Sequence, residues 1–477
     1  MGGIGQLHRQ VTIITLPDDV LLKIFKFFVD EIHSHDETSE NWCTLVHICR
    51  RWRNLAFTSP RHLNLQLLCK PPWRSVQKML DIWPELPIFI YAWDHPDQEA
   101  KYKVAAALKL NHRVSGIRFR KTSDSAWETF LPLMQQPFPA LTSLCIVPYG
   151  QIKNAISRSF LGGSAPSLRD LVLNGVPFPA LPELLLSTPN LVHLWYHNIS
   201  SSGYISPQEM VTGLSALTRL ESLSLTFSPR SLPDVEIQIP PPHTRTLLPA
   251  LTLLRYHGVP EYMEGLVAQI DTPSLESMEI ALFHQGILVV PQLAEFFRHA
   301  HKLSFVDRAE VTFRGDCISV KLSQELEEIK TLMLNLTCSE RDLQFSCLAQ
   351  FCALCLPTLS LFESLDIRVP YSPWTWEDVI DDPDPQWLEL LRPFNTVKDL
   401  CLHKHTAPRV AQTLRGLPAE RVMEVLPALE NIFISDLESF EPVKDVIFEF
   451  SDARQLSGRP VSIYYREGRE KFTKVEK

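Results

Sequence analysis

Apolar residues return along this chain in one short pattern, apolar-x-x-apolar-x-apolar. It is legible at Leu141/Leu144/Ile146, Leu168/Leu171/Leu173 and Leu191/Leu194/Tyr196. It continues at Leu220/Leu223/Leu225, Leu251/Leu254/Tyr256 and Leu275/Met278/Ile280. Looser versions follow at Ile329/Leu332/Leu334, Phe362/Leu365/Ile367, Val397/Leu400/Leu402 and Leu429/Ile432/Ile434. Val114/Ile117/Phe119 precedes the series, and a weak unit closes on Leu303 and Phe305. Strand side chains alternate, so the last two apolar residues of each unit should face a core and the residues between and after them the opposite side. Between the units lie helix-like stretches, clearest at residues 182–186, 291–297 and 386–391. A strand followed by a helix, repeated, builds a parallel sheet on the inside of a curved stack with the helices outside. Pro139, Pro166, Pro189, Pro273 and Pro427 stand directly before units, where proline ends a helix and biases the chain toward extended structure.

The steps between units run from 23 to 35 residues, overlapping and exceeding the roughly 20–29 of leucine-rich repeats. The pattern resembles the irregular leucine-rich repeats, with one departure. The asparagine usual three places after the last apolar residue is missing, and Val176, Ile199, Ser228 and Val259 stand there. An asparagine ladder therefore does not satisfy the backbone at the strand exits.

The first seventy residues carry a different period. Pro17 at a helix start is followed by Asp18 and Asp19, which favour the positive end of a helix dipole. Val20, Leu21, Ile24, Phe25 and Phe28 then recur at helical spacing, and a second amphipathic segment follows at Leu45, Ile48, Cys49 and Trp52. Such short helices need a shared core. Period alone does not separate a helical cap on a larger domain from a docking module. The order of residue types does more: Leu16-Pro17, the Val20-Leu21 and Ile24-Phe25 pairs, then residues 48–53 as Ile-Cys-Arg-Arg-Trp-Arg, with Leu55, Ser59, Pro60 and Leu63 behind.

That order resembles the F-box family, over about a seventh of the chain. The resemblance implies a three-helix module at residues 13–70 that docks onto a Skp-type adaptor, and through it a cullin, by Leu16, Pro17, Val20, Leu21, Ile24, Phe25, Ile48, Cys49 and Trp52. The polar stretch 30–41 is longer than the family's usual link and reads as a solvated insertion. Its His33 and His35, beside Asp36 and Glu37, have no spacing that enforces a metal geometry. The expected architecture is α/β: a tail at 1–12, the F-box at 13–70, and a curved leucine-rich-repeat solenoid at 71–477.

Composition narrows the partners. With 46 basic against 55 acidic residues among 477, the net charge is -9 and no basic cluster stands out, so a nucleic-acid backbone is not expected as partner. Thirty-seven prolines against 17 glycines fit many short elements with frequent reversals. The ten scattered cysteines form no disulfide framework, and no secretory signal opens the chain, so a reduced cytoplasmic or nuclear compartment is expected. Gln6 occupies the place where a myristoylation site needs Ser or Thr. No apolar run reaches the roughly 20 residues that cross a bilayer.

Chemistry is sparse. Cys352 and Cys355, with Cys347 nearby, share a helical face with Phe345 and Leu348, and no second pair completes a zinc site. The pairs His299/His301 and His403/His405 lack an acidic ligand at fixed spacing. No Gly-rich phosphate loop, nucleophile elbow or zinc-protease helix is present. The reading is a binding protein, with no enzyme activity, cofactor or metal.

The alternation rule nominates a target-binding face: Arg118 and Arg120, then His193, Trp195 and His197, then Arg255 and His257, with Asp366 and Arg368 beyond. Trp195 either anchors a partner or packs under a neighbouring loop. Two long loops, 228–245 and 371–386, interrupt the repeats, and Trp374 and Trp376 in the second join the candidates. The function expected is a substrate-recognition adaptor of a Skp–cullin–F-box ubiquitin ligase. The alternative is a leucine-rich-repeat scaffold whose F-box acts outside a ligase.

Overall fold

The computed structural model describes residues 13–35, 43–59, 63, 66–69, 86–93, 97–150, 152, 154–228, 245–283, 288–300, 307–315, 317–324, 331–337, 341–355, 362–369, 385–435, 437, 441–466 and 471–475. The chain divides into two compact units, Met1–Val176 and Pro177–Lys477. Both are α/β, and in both the strands run mostly parallel.

The first unit opens with α1 (Asp18–His35), α2 (Cys43–Ile48) and α3 (Arg50–Thr58). Leu21, Phe25 and Val29 of α1 bury against Leu45, Val46, Trp52, Leu55 and Ala56, and the Phe25 and Trp52 ring centres lie 4.7 Å apart. Two sequence expectations change here. α1 runs through His35, so the start of the polar stretch 30–41 is helical rather than looped. The segment from Leu45 to Trp52 is two helices, because Cys49 is extended at φ -157 and ψ 168. Arg51 locks the entry by donating to the Leu16 carbonyl (2.6 Å) and pairing with Asp18.

Five strands follow in the same unit: β1 (Leu67–Cys69), β2 (Ile88–Trp93), β3 (Val114–Thr122), β4 (Ser143–Pro148) and β5 (Asp170–Asn174). Each pairs in parallel with the next. Two helices lie among them, α4 (Gln98–Leu108) and α5 (Asp124–Phe130), whose first turns are capped by the Asp97 and Ser123 side chains. The helical segment is thus continuous with the sheet through β1, whose Leu67 sits opposite Ile88.

The second unit alternates strands and helices: α6 (Leu181–Leu185), β6 (His193–Ile199), α7 (Pro207–Leu214), β7 (Ser222–Phe227), β8 (Thr246–Leu247), β9 (Leu253–Gly258) and α8 (Pro260–Val267). Next come β10 (Ile270–Asp271), β11 (Ser277–Phe283), α9 (Pro291–His299), β12 (Arg308–Arg314), β13 (Cys317–Ser323), β14 (Thr331–Thr337) and α10 (Arg341–Cys355). It ends with β15 (Ser364–Arg368), α11 (Pro385–Leu391), β16 (Asp399–Leu402), α12 (Ala407–Arg415), β17 (Asn431–Ser435), α13 (Glu441–Leu456), β18 (Ser462–Arg466) and β19 (Thr473–Lys474). The helices expected at 182–186, 291–297 and 386–391 are α6, α9 and α11. Proline stands in the first turn of α6, α7, α8, α9 and α12, where it forfeits no hydrogen bond. α7 adds a full capping box between Ser206 and Glu209.

The hexads set the ladder. Leu194, Leu223, Leu254, Met278 and Leu332 stand opposite one another on successive strands, and all are buried. So do Leu365, Leu400, Ile432 and Ile463. The prolines before the units do more than end helices. Phe138-Pro139-Ala140-Leu141 closes a turn from the Leu141 N–H to the Phe138 carbonyl, and Pro166, Pro189 and Pro273 occupy the same second place in equivalent turns. Proline's fixed φ suits that place, and both ends of each turn are buried.

The parallel run is interrupted at β12 to β14 and ends on the antiparallel pair β18 and β19. β12, β13 and β14 form an antiparallel meander, β14 pairing in parallel with β11 and β12 with β15. Gly315, at φ 37, turns the chain between Arg314 and Cys317, which face each other across the ladder. An unbroken series of single strands through this region is therefore corrected. The expected weak unit at Leu303 and Phe305 lies outside the described residues, as does Ile329.

Side chains other than asparagine satisfy the strand exits. The Tyr196 hydroxyl accepts from the Phe178 N–H (3.1 Å) and donates to the Gly203 carbonyl (3.0 Å). Tyr256 donates to the Val259 carbonyl, and Thr406 to that of Ile367. Burial pushes the Tyr196 hydroxyl up to about 12, the Phe178 N–H pulling the other way. Glu264 of α8 likewise serves α9, accepting from the N–H groups of Gln292 and Leu293 at 2.8 Å each.

Tyr196→Phe leaves the buried Phe178 N–H unsatisfied. Urea unfolding is expected to show a loss of about 1–3 kcal/mol, with an unchanged far-ultraviolet circular dichroism spectrum.

Candidate functional site

Two surfaces collect the residues nominated from sequence. The first is the outside of the α1–α3 knob. The nine positions divide there: Leu21, Phe25 and Trp52 are buried in the knob's own core and offer nothing to a partner. Pro17 is exposed, Ile24 is 40% exposed and Ile48 59%, while Leu16, Val20 and Cys49 are half-buried. Phe27, absent from the nominated set, is the most open of these at 75%. Asp18 and Arg51 pair on the same module.

The second is the sheet face opposite the helices, taken in each unit by itself. In the first unit Tyr91 stands opposite Arg118, and Trp93 opposite Arg120. Arg118 is half-buried with its guanidinium 5.9 Å from the centre of the Phe89 ring, and Arg120 is exposed. Gly116 makes this possible, since a Cβ there would meet the Phe89 ring at 2.2 Å.

In the second unit one row runs Trp195, Ser224, Arg255, Glu279 and Met333 across β6, β7, β9, β11 and β14. Trp195 is half-buried, donates from its indole N–H to Ser222 (3.2 Å) and stacks on His197 at 6.2 Å. Trp195 stays partly open. The His197 ring contacts Ser224 at 2.8 Å, His257 packs on Phe283 at 4.5 Å, and Arg255 pairs with Glu279 at 3.1 Å. His193 is half-buried at the start of the same strand. Burial lowers the pKa of His197, with Arg255 adding to the effect, and burial lowers that of His257 against the opposing charge of Glu279. Both rings are therefore neutral at pH 7, and this row presents aromatic surface and hydrogen-bonding groups with one matched ion pair. Trp374 and Trp376 lie outside the described residues.

Farther along, the structure assembles a cluster that sequence spacing did not show. Asp366, with a side chain 3% exposed, receives His403 Nε2 at 2.8 Å and Arg368 at 2.6 Å, with Arg308 at 3.4 Å. The other ring nitrogen of His403 contacts the Ser435 hydroxyl at 2.9 Å, and Arg368 also approaches Glu310. His403, read from sequence as lacking an acidic partner, has one 37 residues away. Burial alone would raise the Asp366 carboxyl; hydrogen bonds and charge from His403 and Arg368 override it and hold it at about 2. Ser435, His403 and Asp366 are linked like a hydrolytic triad, but Ser435 is 2% exposed and closed to a substrate in solution. The line instead orients Asp366 and its cations.

The cysteines of α10 are packing groups. Cys347, Cys352 and Cys355 are buried with Phe345, Leu348 and Phe351, and burial raises the thiols of Cys352 and Cys355 well above the ordinary value. A protonated thiol is neither nucleophile nor metal ligand. Among the described residues no group of three His, Cys, Asp or Glu side chains is placed to hold a metal ion, and no helix is long and apolar enough to cross a membrane. No family model matches the chain, and no curated protein shows significant similarity to it.

The depressed Asp366 pKa is a stability statement. Its contribution is fully present above the ordinary value of 3.8 and is lost as the pH falls through about 2. Acid titration of wild-type stability is expected to show a loss of about 2 kcal/mol across that window. Asp366→Asn should flatten this dependence and lower the urea midpoint at pH 7.

Proposed function

We propose that the chain is a non-catalytic adaptor, an F-box module at residues 13–70 followed by a leucine-rich-repeat solenoid. The knob grips a Skp-type partner, and through it a cullin, while the sheet face holds a target protein for ubiquitin transfer by the partners. Catalysis in such an assembly is positioning: the target is brought into reach of a reacting centre held elsewhere.

The observation that carries the reading is the knob's apolar balance. A module of three short helices has buried Leu21, Phe25 and Trp52 and still leaves Pro17, Ile24, Phe27 and Ile48 exposed. Four exposed apolar residues on so small a module fit a protein-docking role. Transfer from water is worth about 1.5–3 kcal/mol for each large apolar side chain, so a few suffice for a stable complex. The order of residue types from Leu16 to Trp52 supports the choice of partner, and the in-register hexads support the repeat assignment. The half-open Trp195 and the self-paired polar row around it fit a surface that contacts another protein.

Ile24→Asp combined with Ile48→Asp should weaken binding to a purified Skp-type adaptor by about a hundredfold or more, as read by calorimetry. The melting temperature should stay within a few degrees, because neither side chain belongs to the knob's buried core. Leu16→Ala with Pro17→Ala should act in the same direction. Wild-type affinity in both double variants rejects the adaptor reading. An adaptor complex that fails to take up cullin leaves only the scaffold alternative.

A further inference from the structure

We propose that the first unit's sheet face, at the C-terminal ends of β2, β3 and β4, is a docking site for an acidic peptide segment. The proposal rests on the reading of the sheet face as a target surface and gives that surface a chemistry.

Two exposed cations, Arg120 and Lys121, stand at the end of β3, with the half-buried Arg118 before them. Strands β2 to β4 carry no acidic residue, and Asp124, which opens α5, is the next acid along the chain. The rows beside the cations are aromatic: Tyr91 faces Arg118 across the ladder and Trp93, 54% exposed, faces Arg120. An exposed indole flanked by cations offers apolar contact as well as charge, which is how interface hot spots are composed.

The backbone at this place is strained in a telling way. Arg120 stands opposite Val147 and Thr122 opposite Pro148, so Lys121 is an extra residue, a bulge. Its φ is +52, the left-handed region, which Gly or Asn occupies at less cost than Lys. The corresponding strand β6 also shifts register at its end, and there the left-handed residue is Asn198. The bulge turns two consecutive side chains, Arg120 and Lys121, out to solvent while Thr122 returns to the core. Bulges of this kind re-aim side chains beside binding sites, and the one in β3 carries Lys where that in β6 carries Asn.

Geometry also separates a carboxylate-rich peptide from a single-stranded nucleic acid, the other polyanion a basic and aromatic face could take. Base stacking needs open ring faces. Here the Arg118 guanidinium sits over Phe89 at 5.9 Å, and the Lys121 ammonium over Trp93 at 5.9 Å. The cations are also confined to one strand end instead of tracking a groove. A short run of carboxylates reaching the cations, with an apolar neighbour against Trp93, matches what is displayed.

The test uses the full chain and a fluorescein-labelled peptide of alternating Glu and Ser with one central Leu, titrated by anisotropy with Trp fluorescence read in parallel. Saturable binding is expected, weakening as salt rises and accompanied by a change in Trp emission that Trp93→Phe removes. Arg120→Glu with Lys121→Glu should lower the affinity by about tenfold or more. Arg120→Gln with Lys121→Gln, which keeps size and removes charge, should give a smaller loss in the same direction. Absence of saturable binding, an affinity unmoved by both double variants, or tighter binding of an oligothymidine than of the peptide would each overturn the proposal. No adaptor is present in this titration, so its outcome is independent of the knob. Should the peptide fail while a captured target still depends on Trp195 and His197, the acid-selective site falls and the sheet-face reading stands.

Discussion

Register is the constraint on which the fold depends. A parallel strand reaches its neighbour only through a crossover, and a slip of one residue would turn every side chain on the strand to the other face. The chain fixes register twice over. The hexad places two apolar side chains two residues apart, as at Leu144 and Ile146, which commits that face of the strand to the core. The turn before the unit, closed from Leu141 to Phe138 and repeated from Leu168 to Ala165 and from Leu191 to Thr188, starts each strand at the same distance from its first core residue. With the entry angle and the inward pair both set, lengths between units can vary without disturbing the ladder. That is why steps of such uneven size still stack.

The meander of β12 to β14 shows what the constraint permits. An antiparallel pair needs no crossover, only the two-residue turn at Gly315, so two strands can be inserted between β14 and β15 without a helix of their own. The inserted faces must still match, and they do: Ala309, Val311 and Phe313 are buried alongside Ile318, Val320 and Leu322. The extra apolar area calls for cover. α10 supplies it, burying Phe345 against Phe313 and Trp387 with ring centres 4.9 Å apart in each pair, and its cysteines belong to that cover.

The repeated strands were legible in the sequence because their signal is local: six residues state the period and the buried face. The meander was missed although its signal was present, Gly315-Asp316 between two alternating runs, because a search for one hexad tests one strand type only. The knob teaches a subtler lesson. Helical spacing picked out Leu21, Phe25 and Trp52, but spacing marks the stripe a helix buries against its own neighbours. Phe27 lies off that stripe and is 75% exposed, the most open apolar side chain among the described residues of α1. A partner-facing residue on a small helical module is better sought as the apolar residue that breaks the pattern. The sequence placed Asp366 and Arg368 on one face, but their partners were not readable, since Arg308 on β12, His403 just past β16 and Ser435 on β17 meet them only after folding.

Because the buried face is dictated by register, the opposite face is where side chains can vary without cost to the fold, and the two units use that freedom differently. In the second unit charge is matched on the surface itself, Arg255 by Glu279 and Arg368 by Asp366. The buried Asp366 holds Arg368 in a fixed direction, since a carboxylate out of water is tolerable only with its cations in place. A face so paired has little net field, and what it can discriminate is shape, through Trp195, His197 and the neutral His257. In the first unit Arg120 and Lys121 are turned outward by a strained bulge and no acid flanks them on their own or the adjoining strands. Their field reaches beyond contact distance, so salt would weaken recognition there far more than on the paired face. On the target-binding reading proposed above, one face would select by form and the other by charge.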